Sequence, residues 1–214
     1  MIFFAVLRWA AASTLPLLVA ACASVSLPSA PGSEATSPSP ITGARIFHDT
    51  IDFGGRLSVR YQNDQKEEGL HGSFIWTQTP VQTQITLLSP LGQTLAVINV
   101  TPLGATLMQA GQPIRSATDV DALTAETLGW PLPVAGLRSW LQGFATDRTG
   151  RRFVATPHTT DVTTGDGWQI RYANWADDVA PPSQNRPKRI DLARYTEQAG
   201  NVSIRIVLDT WQAH

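Results

Sequence analysis

The residues in this chain that could do chemistry are few and scattered. Its four histidines, His48, His71, His158 and His214, include no i,i+4 pair that would set two imidazoles on one helix face for a metal. Cys22 is the only cysteine, so the chain holds no internal disulfide and no cysteine-based zinc or iron–sulfur site. No G-x-S-x-G elbow, phosphate-cradling glycine loop or dinucleotide fingerprint occurs. The adjacent carboxylates Asp177-Asp178 lie in a Trp/Ala/Pro stretch that reads as a solvated loop rather than an acid–base pair. A Ser-His-Asp triad leaves no spacing signature, but nothing marks one serine above the others. Neither enzyme activity nor a cofactor is expected.

One segment has the character of an apolar probe. Leu87-Leu88-Ser89-Pro90-Leu91-Gly92-Gln93-Thr94-Leu95 places a Ser-Pro-Leu-Gly turn between two strand-like runs. Pro90 presets the turn dihedral and Gly92 can take positive φ, so the chain reverses there. Leu91 at the tip either folds back onto the core or stands out to touch something apolar. The sequence alone leaves both open.

The elements that would position such a turn are mostly strands. Of 214 residues, 43% are apolar and only 15% charged, which permits a sizeable core and excludes wholesale disorder. A formal charge of −1 gives no broad electrostatic footprint for nucleic acid. Alternation with period two recurs in Phe53–Tyr61, Gly72–Gln78, Gln84–Leu88, Gln93–Val100, Ala105–Ala110, Phe153–Thr156, Gly167–Tyr172, Arg189–Tyr195 and Asn201–Trp211. The run from Asn63-Asp64 to Gly69 reads as a polar turn. Helical spacing appears in Asp119–Leu128, with Asp119 or Thr118 as N-cap, and in Pro133–Phe144. Thr42–Ile51 reads as a third, short helix. The helix pair must lay its apolar stripe on one face of a curved antiparallel sheet.

Residues 1–21 carry Arg8 as their only charge, and the run from Trp9 to Ala21 has the length of a signal-peptide core. They end Leu18-Val19-Ala20-Ala21-Cys22, which resembles the bacterial lipobox, so Cys22 is the expected site of lipid attachment. Ala23, where Asp would signal inner-membrane retention, favours the outer membrane. Removing 1–21 leaves 15 basic against 17 acidic residues. Residues 23–40 hold four Pro, six Ser and one charge, Glu34. Such a stretch cannot bury apolar surface and reads, with Cys22, as a lipid-anchored flexible tether over 22–40. Its reach is roughly 60 Å when fully extended. The globular body is 41–214.

Phe74-Ile75-Trp76, the Ser-Pro-Leu-Gly turn, Gly129-Trp130-Pro131-Leu132-Pro133-Val134, Leu137-Arg138-Ser139-Trp140-Leu141-Gln142-Gly143 and Asp209-Thr210-Trp211 follow one another in an order that resembles the LolB family. These are outer-membrane lipoproteins that receive other lipoproteins from the periplasmic carrier LolA. The resemblance covers nearly all of 41–214. It implies an incomplete antiparallel β-barrel of about 10–11 strands, mainly β with α, covered by a lid of about three helices over an apolar cavity for acyl chains. It implies no ATP, no covalent chemistry, and a monomer lipid-anchored in the outer membrane and facing the periplasm. Its partners would be LolA, lipidated cargo and the inner leaflet of the outer membrane. Leu91 matches the apolar residue that such proteins carry on a protruding, membrane-inserting loop.

The cavity wall under this resemblance would be drawn from Leu57, Val59, Phe74, Trp76, Leu87, Leu95, Val97, Leu137 and Trp140, each of which could equally be ordinary core. Arg56, Arg60, Arg151 and Arg152 are basic candidates for docking a carrier, with solvated arginine as the default. The competing reading is an outer-membrane-anchored binding protein for another lipid or apolar ligand.

Overall fold

A computed structural model describes residues 45–63, 66–176 and 185–214. The signal segment, Cys22, the tether and Asp177-Asp178 lie outside the described residues. Twelve strands and two helices follow: β1 (Ile51–Asn63), β2 (Lys66–Gln78), β3 (Thr83–Leu88), β4 (Thr94–Thr101), β5 (Gly104–Gln109), β6 (Arg115–Ala117), α1 (Val120–Leu128), α2 (Val134–Trp140), β7 (Phe144–Thr146), β8 (Arg152–Val154), β9 (Asp161–Thr163), β10 (Gln169–Trp175), β11 (Pro187–Thr196) and β12 (Gly200–Ala213).

Ten strands form one antiparallel sheet in the order β6-β5-β4-β3-β2-β1-β12-β11-β10-β9, and β7 pairs with β8 in a separate hairpin. The edge strands β6 and β9 do not pair with each other, so the sheet is not closed. Its middle is built from long strands whose alternation is clean. In β1, Ile51, Phe53, Leu57 and Val59 are buried while Arg56 and Arg60 are exposed; in β12, Val202, Ile204, Ile206 and Leu208 are buried against Ser203, Arg205 and Asp209. One residue of slip would turn these rows to solvent, which fixes the register.

Two glycines let the central strands approach closely. A Cβ at Gly55 would collide with the Val207 carbonyl and the Phe74 ring, and one at Gly72 with the Leu88 carbonyl. Gly55 follows a register shift in the β1–β12 ladder, a bulge of the kind that sharpens local bending and twist.

The helix pair covers the inner face. Asp119 caps α1 by accepting from the Asp121 and Ala122 N–H groups, and Gly129 ends it at φ 77°. The Asp121 carboxylate accepts the Ala135 N–H in the first turn of α2, and the Thr124 hydroxyl bonds the Leu132 backbone. Connector and helices therefore form one stitched unit. Val120 and Leu123 of α1 and Val134, Leu137 and Trp140 of α2 join the core of the sheet.

Several expectations need correction. The described residues contain two helices, not three: Arg45–His48 is irregular and Ile51 opens β1. Arg45–His48 is fastened individually instead, with Phe47 edge-on to Phe144 at 5.7 Å and the Arg45 Nη2 donating to the Ala155 carbonyl. The polar run after Asn63 belongs largely to strands, since β1 and β2 pair as far as Asn63 and Lys66. Cross-strand pairs, Tyr61 with Glu68 at 2.8 Å and Arg60 with Glu67 at 3.8 Å, replace hydrophobic alternation there.

Candidate functional site

Between the sheet and the helix pair lies a small void of about 20 Å³, lined wholly by apolar side chains: Leu57, Phe74, Trp76, Ile85 and Leu87, with Leu132, Leu137 and Leu141 above and Ile204 and Ile206 beside them. That volume holds about one water, far below the ~300–1,000 Å³ typical of ligand pockets. The hollow implied by the resemblance is therefore filled by its own walls in this conformation.

Of the expected wall residues, Leu57, Phe74, Trp76, Leu87 and Leu137 meet at this void, and Val59 and Trp140 are buried elsewhere in the same core. Leu95 and Val97 do not belong to it. In β4 the inward residues are Ala96 and Ile98, while Leu95 is 37% exposed and Val97 sits on the opposite face. Leu87 and Leu88 pair with Ala96 and Thr94, so Leu95 is the extra residue of a bulge. Both faces of β4 carry aliphatic residues, so alternation could not say which one was buried. Ile85, Ile204 and Ile206 are legible as inward members of alternating strands, and Leu141 through its helical spacing with Val134 and Leu137; Leu132, ahead of α2, carries no signal of its own.

A polar network closes this interior at one end. The Gln142 amide accepts the His48 N–H at 2.8 Å and donates to the His48 carbonyl at 2.9 Å. Gln78 Nε2 donates to that same carbonyl at 3.3 Å, and Trp76 Nε1 donates to Gln78 Oε1 at 3.3 Å. Arg138 on α2 donates to Thr83 Oγ1 at 2.9 Å and to the Thr79 carbonyl at 2.8 Å. Gln78 and Gln142 are fully buried, so each bond replaces water that cannot reach it. Trp76 belongs both to the void and to this latch.

The Ser-Pro-Leu-Gly turn resolves in favour of exposure. Ser89 Oγ accepts from the Leu91 and Gln93 N–H groups at 3.3 and 3.2 Å, and the Gly92 N–H reaches the Ser89 carbonyl at 2.9 Å. Gly92 sits at φ 81°, where a side chain would be strained. These bonds define the turn, and it presents Leu91 87% exposed.

The arginines expected on a docking face are largely occupied. Arg56 forms a two-bonded pair with Asp209 at 2.9 Å, Arg151 pairs with Asp147 at 3.2 Å, and Arg152 lies over the Phe144 ring at 4.9 Å. Hydrogen bonds from the Thr149 hydroxyl, then from the Arg151 and Thr149 N–H groups, lower the Asp147 pKa to about 2. Burial raises that of the Tyr172 phenol. Among the described residues no three His, Cys, Asp or Glu side chains gather to hold a metal ion, and no helix is long and apolar enough to cross a membrane.

Comparison with known proteins agrees in sequence over nearly the whole chain. The family model described as outer membrane lipoprotein LolB matches residues 49–211. A protein of Cupriavidus taiwanensis named outer-membrane lipoprotein LolB is 41% identical over 202 residues, covering 91% of this chain and 92% of its own. One of the same name from Thiobacillus denitrificans is 33% identical over 207 residues, covering 96% and 98%. Among solved structures, a LolA superfamily protein from Nitrosomonas europaea aligns with 79% of this chain and 88% of its own, at 12% identity and a TM-score of 0.43. With a family match across the sheet, the helix pair and the Leu91 turn together, the chain belongs to the outer membrane lipoprotein LolB family.

Proposed function

We propose that this protein accepts lipidated proteins from the periplasmic carrier LolA, takes their acyl chains between the sheet and the helix pair, and delivers them to the outer membrane. It would be anchored there through Cys22, face the periplasm and act as a monomer without cofactor or covalent chemistry. The observation that carries this reading is the void lined wholly by apolar side chains and closed by a helix pair that side-chain hydrogen bonds hold down.

Magnitudes support a lid that yields to its ligand. The five bonds tying Gln142, Arg138 and Gln78 to His48, Thr79 and Thr83 are worth roughly 5 kcal/mol together, at ~1 kcal/mol each. An acyl chain that buries about a dozen methylenes gains ~10 kcal/mol at ~0.8 kcal/mol each. The chain can therefore open the latch and occupy the space that wall side chains now fill. Leu91 serves the other end of the process. Burying one leucine in the bilayer contributes ~1.5–3 kcal/mol, enough to bias an encounter with the membrane and too little to anchor the protein.

The test uses soluble protein lacking residues 1–22 and carrier loaded with a labelled lipoprotein. Cargo should move to this protein and resist return. Retention of cargo by the carrier, or purification of this protein with a free lipid that cargo cannot displace, would overturn the reading.

A further inference from the structure

The inner face of the sheet is apolar along most of its rows, and one row ends differently. Leu57, Ile206, Ile190 and Tyr172 are successive cross-strand partners on β1, β12, β11 and β10. All four are buried, and Leu57 and Ile206 line the void. Tyr172 lies two strand spacings beyond Ile206, about 10 Å along the row. Its side chain is fully enclosed, yet its hydroxyl has no hydrogen-bond partner among the described residues. The rings of Trp175 and Phe153 stack with the phenol at 6.1 and 6.3 Å.

Arg45 closes the same corner. Its guanidinium lies 5.2 Å from the centre of the Trp175 ring, and its Nη2 donates to the Ala155 carbonyl. Its Nε is also buried, without a partner among the described residues. Two unsatisfied donors, an O–H and an N–H, thus sit at one end of an apolar row. Each carries a desolvation cost that folding alone does not recover, and native proteins keep few such groups. Hydrocarbon cannot serve them. A carbonyl oxygen can, and an esterified acyl chain brings one into a place where it too would lack water.

We propose that Tyr172 and Arg45 form a subsite for the ester carbonyls of a diacylglyceryl group whose chains lie along the row towards Leu57. The proposal rests on the lipid-binding reading above and adds the part of the lipid that is recognised by hydrogen bonding. The hydrocarbon supplies most of the affinity; the two donors fix how deep the glyceryl end travels and favour ester-linked lipids over bare hydrocarbon.

The test titrates two lipopeptides that share sequence and chain length, one carrying a diacylglyceryl cysteine and the other its dialkyl ether analogue. Wild-type protein should prefer the ester by about fivefold or more, the size of one net hydrogen bond. Tyr172→Phe should bind the ether as the wild type does and lose most of the preference; Arg45→Lys should lose part of it. Unliganded Tyr172→Phe should melt no lower than the wild type, since the hydroxyl it removes bonds none of the described residues. An ester-to-ether ratio unchanged in Tyr172→Phe overturns the subsite. So does a lowered melting temperature, which would show the hydroxyl already held by a structural water. Failure of the wild type to bind either lipopeptide refutes the lipid-binding reading itself.

Discussion

Replacing Leu91 by glutamate separates folding from delivery. Leu91 is 87% exposed, and its turn is held by Ser89 Oγ and by Gly92 at positive φ, none of which uses the Leu91 side chain. The substitution should change folding stability by no more than about 0.5 kcal/mol, as for surface positions generally, so the melting temperature should move by less than ~2 °C. In the membrane, the lost leucine removes ~1.5–3 kcal/mol of burial, equivalent to roughly 10–150-fold in partitioning at 1.4 kcal/mol per tenfold. Leu91→Met keeps the apolar tip and should retain most delivery. The assay compares cargo acceptance from loaded carrier with cargo release into vesicles for the wild type and both variants. Normal acceptance with release reduced at least tenfold in Leu91→Glu is expected. A melting temperature lowered by several degrees would mean Leu91 packs in the fold, and undiminished release would mean the tip plays no part in delivery.

Three further outcomes follow from the packing and the polar network. Gln142→Leu strips the His48 N–H and carbonyl of their amide partner and should destabilise by about 2–4 kcal/mol, read by thermal unfolding; faster amide exchange in α2 than in β12 would place the loss at the lid. Leu137→Ala enlarges the void at the helix–sheet contact and should cost about 2–5 kcal/mol while raising the binding of an apolar dye; unchanged dye binding would count against an accessible interior. Asp147, with its folded pKa lowered to about 2 from 3.8, supplies stability that is present above pH ~4 and is lost as pH falls towards 2. Asp147→Asn should therefore be less stable than the wild type at pH 5, with most of that gap closing as pH falls to 2; a gap of undiminished size at pH 2 would assign the loss to something other than the carboxylate.

Much of this architecture is written locally. The alternation in β1 and β12 survives because one face of each is buried and the other solvated, and the capped start of α1 at Asp119 is a short-range signal. What escaped is set by distant partners. The strands β6, β7 and β9 are three residues each, too short for a period, and exist because neighbouring strands accept their backbone. Phe47 and Arg45 lie in the stretch that reads as a third helix, but their places are fixed by Phe144 and Ala155, roughly a hundred residues away. At the site, a sequence can nominate Leu57, Phe74, Trp76, Leu87 and Leu137 as apolar, yet it cannot say which face of β4 turns inward. The latch was invisible for the same reason: nothing near Gln142 in the chain marks it as the amide that binds His48.

The most direct measurement places the acyl chain itself. Cargo carrying a photoactivatable group midway along its acyl chain is transferred from the carrier to this protein, irradiated, and the attachment points are read by mass spectrometry. Crosslinks to Leu57, Trp76, Leu137 and Ile206 are expected, where sheet and helix pair meet around the void. Crosslinks confined to the outer face, at Arg56, Ser58 or Arg205, or none at all after transfer, would contradict uptake of the chain into the interior.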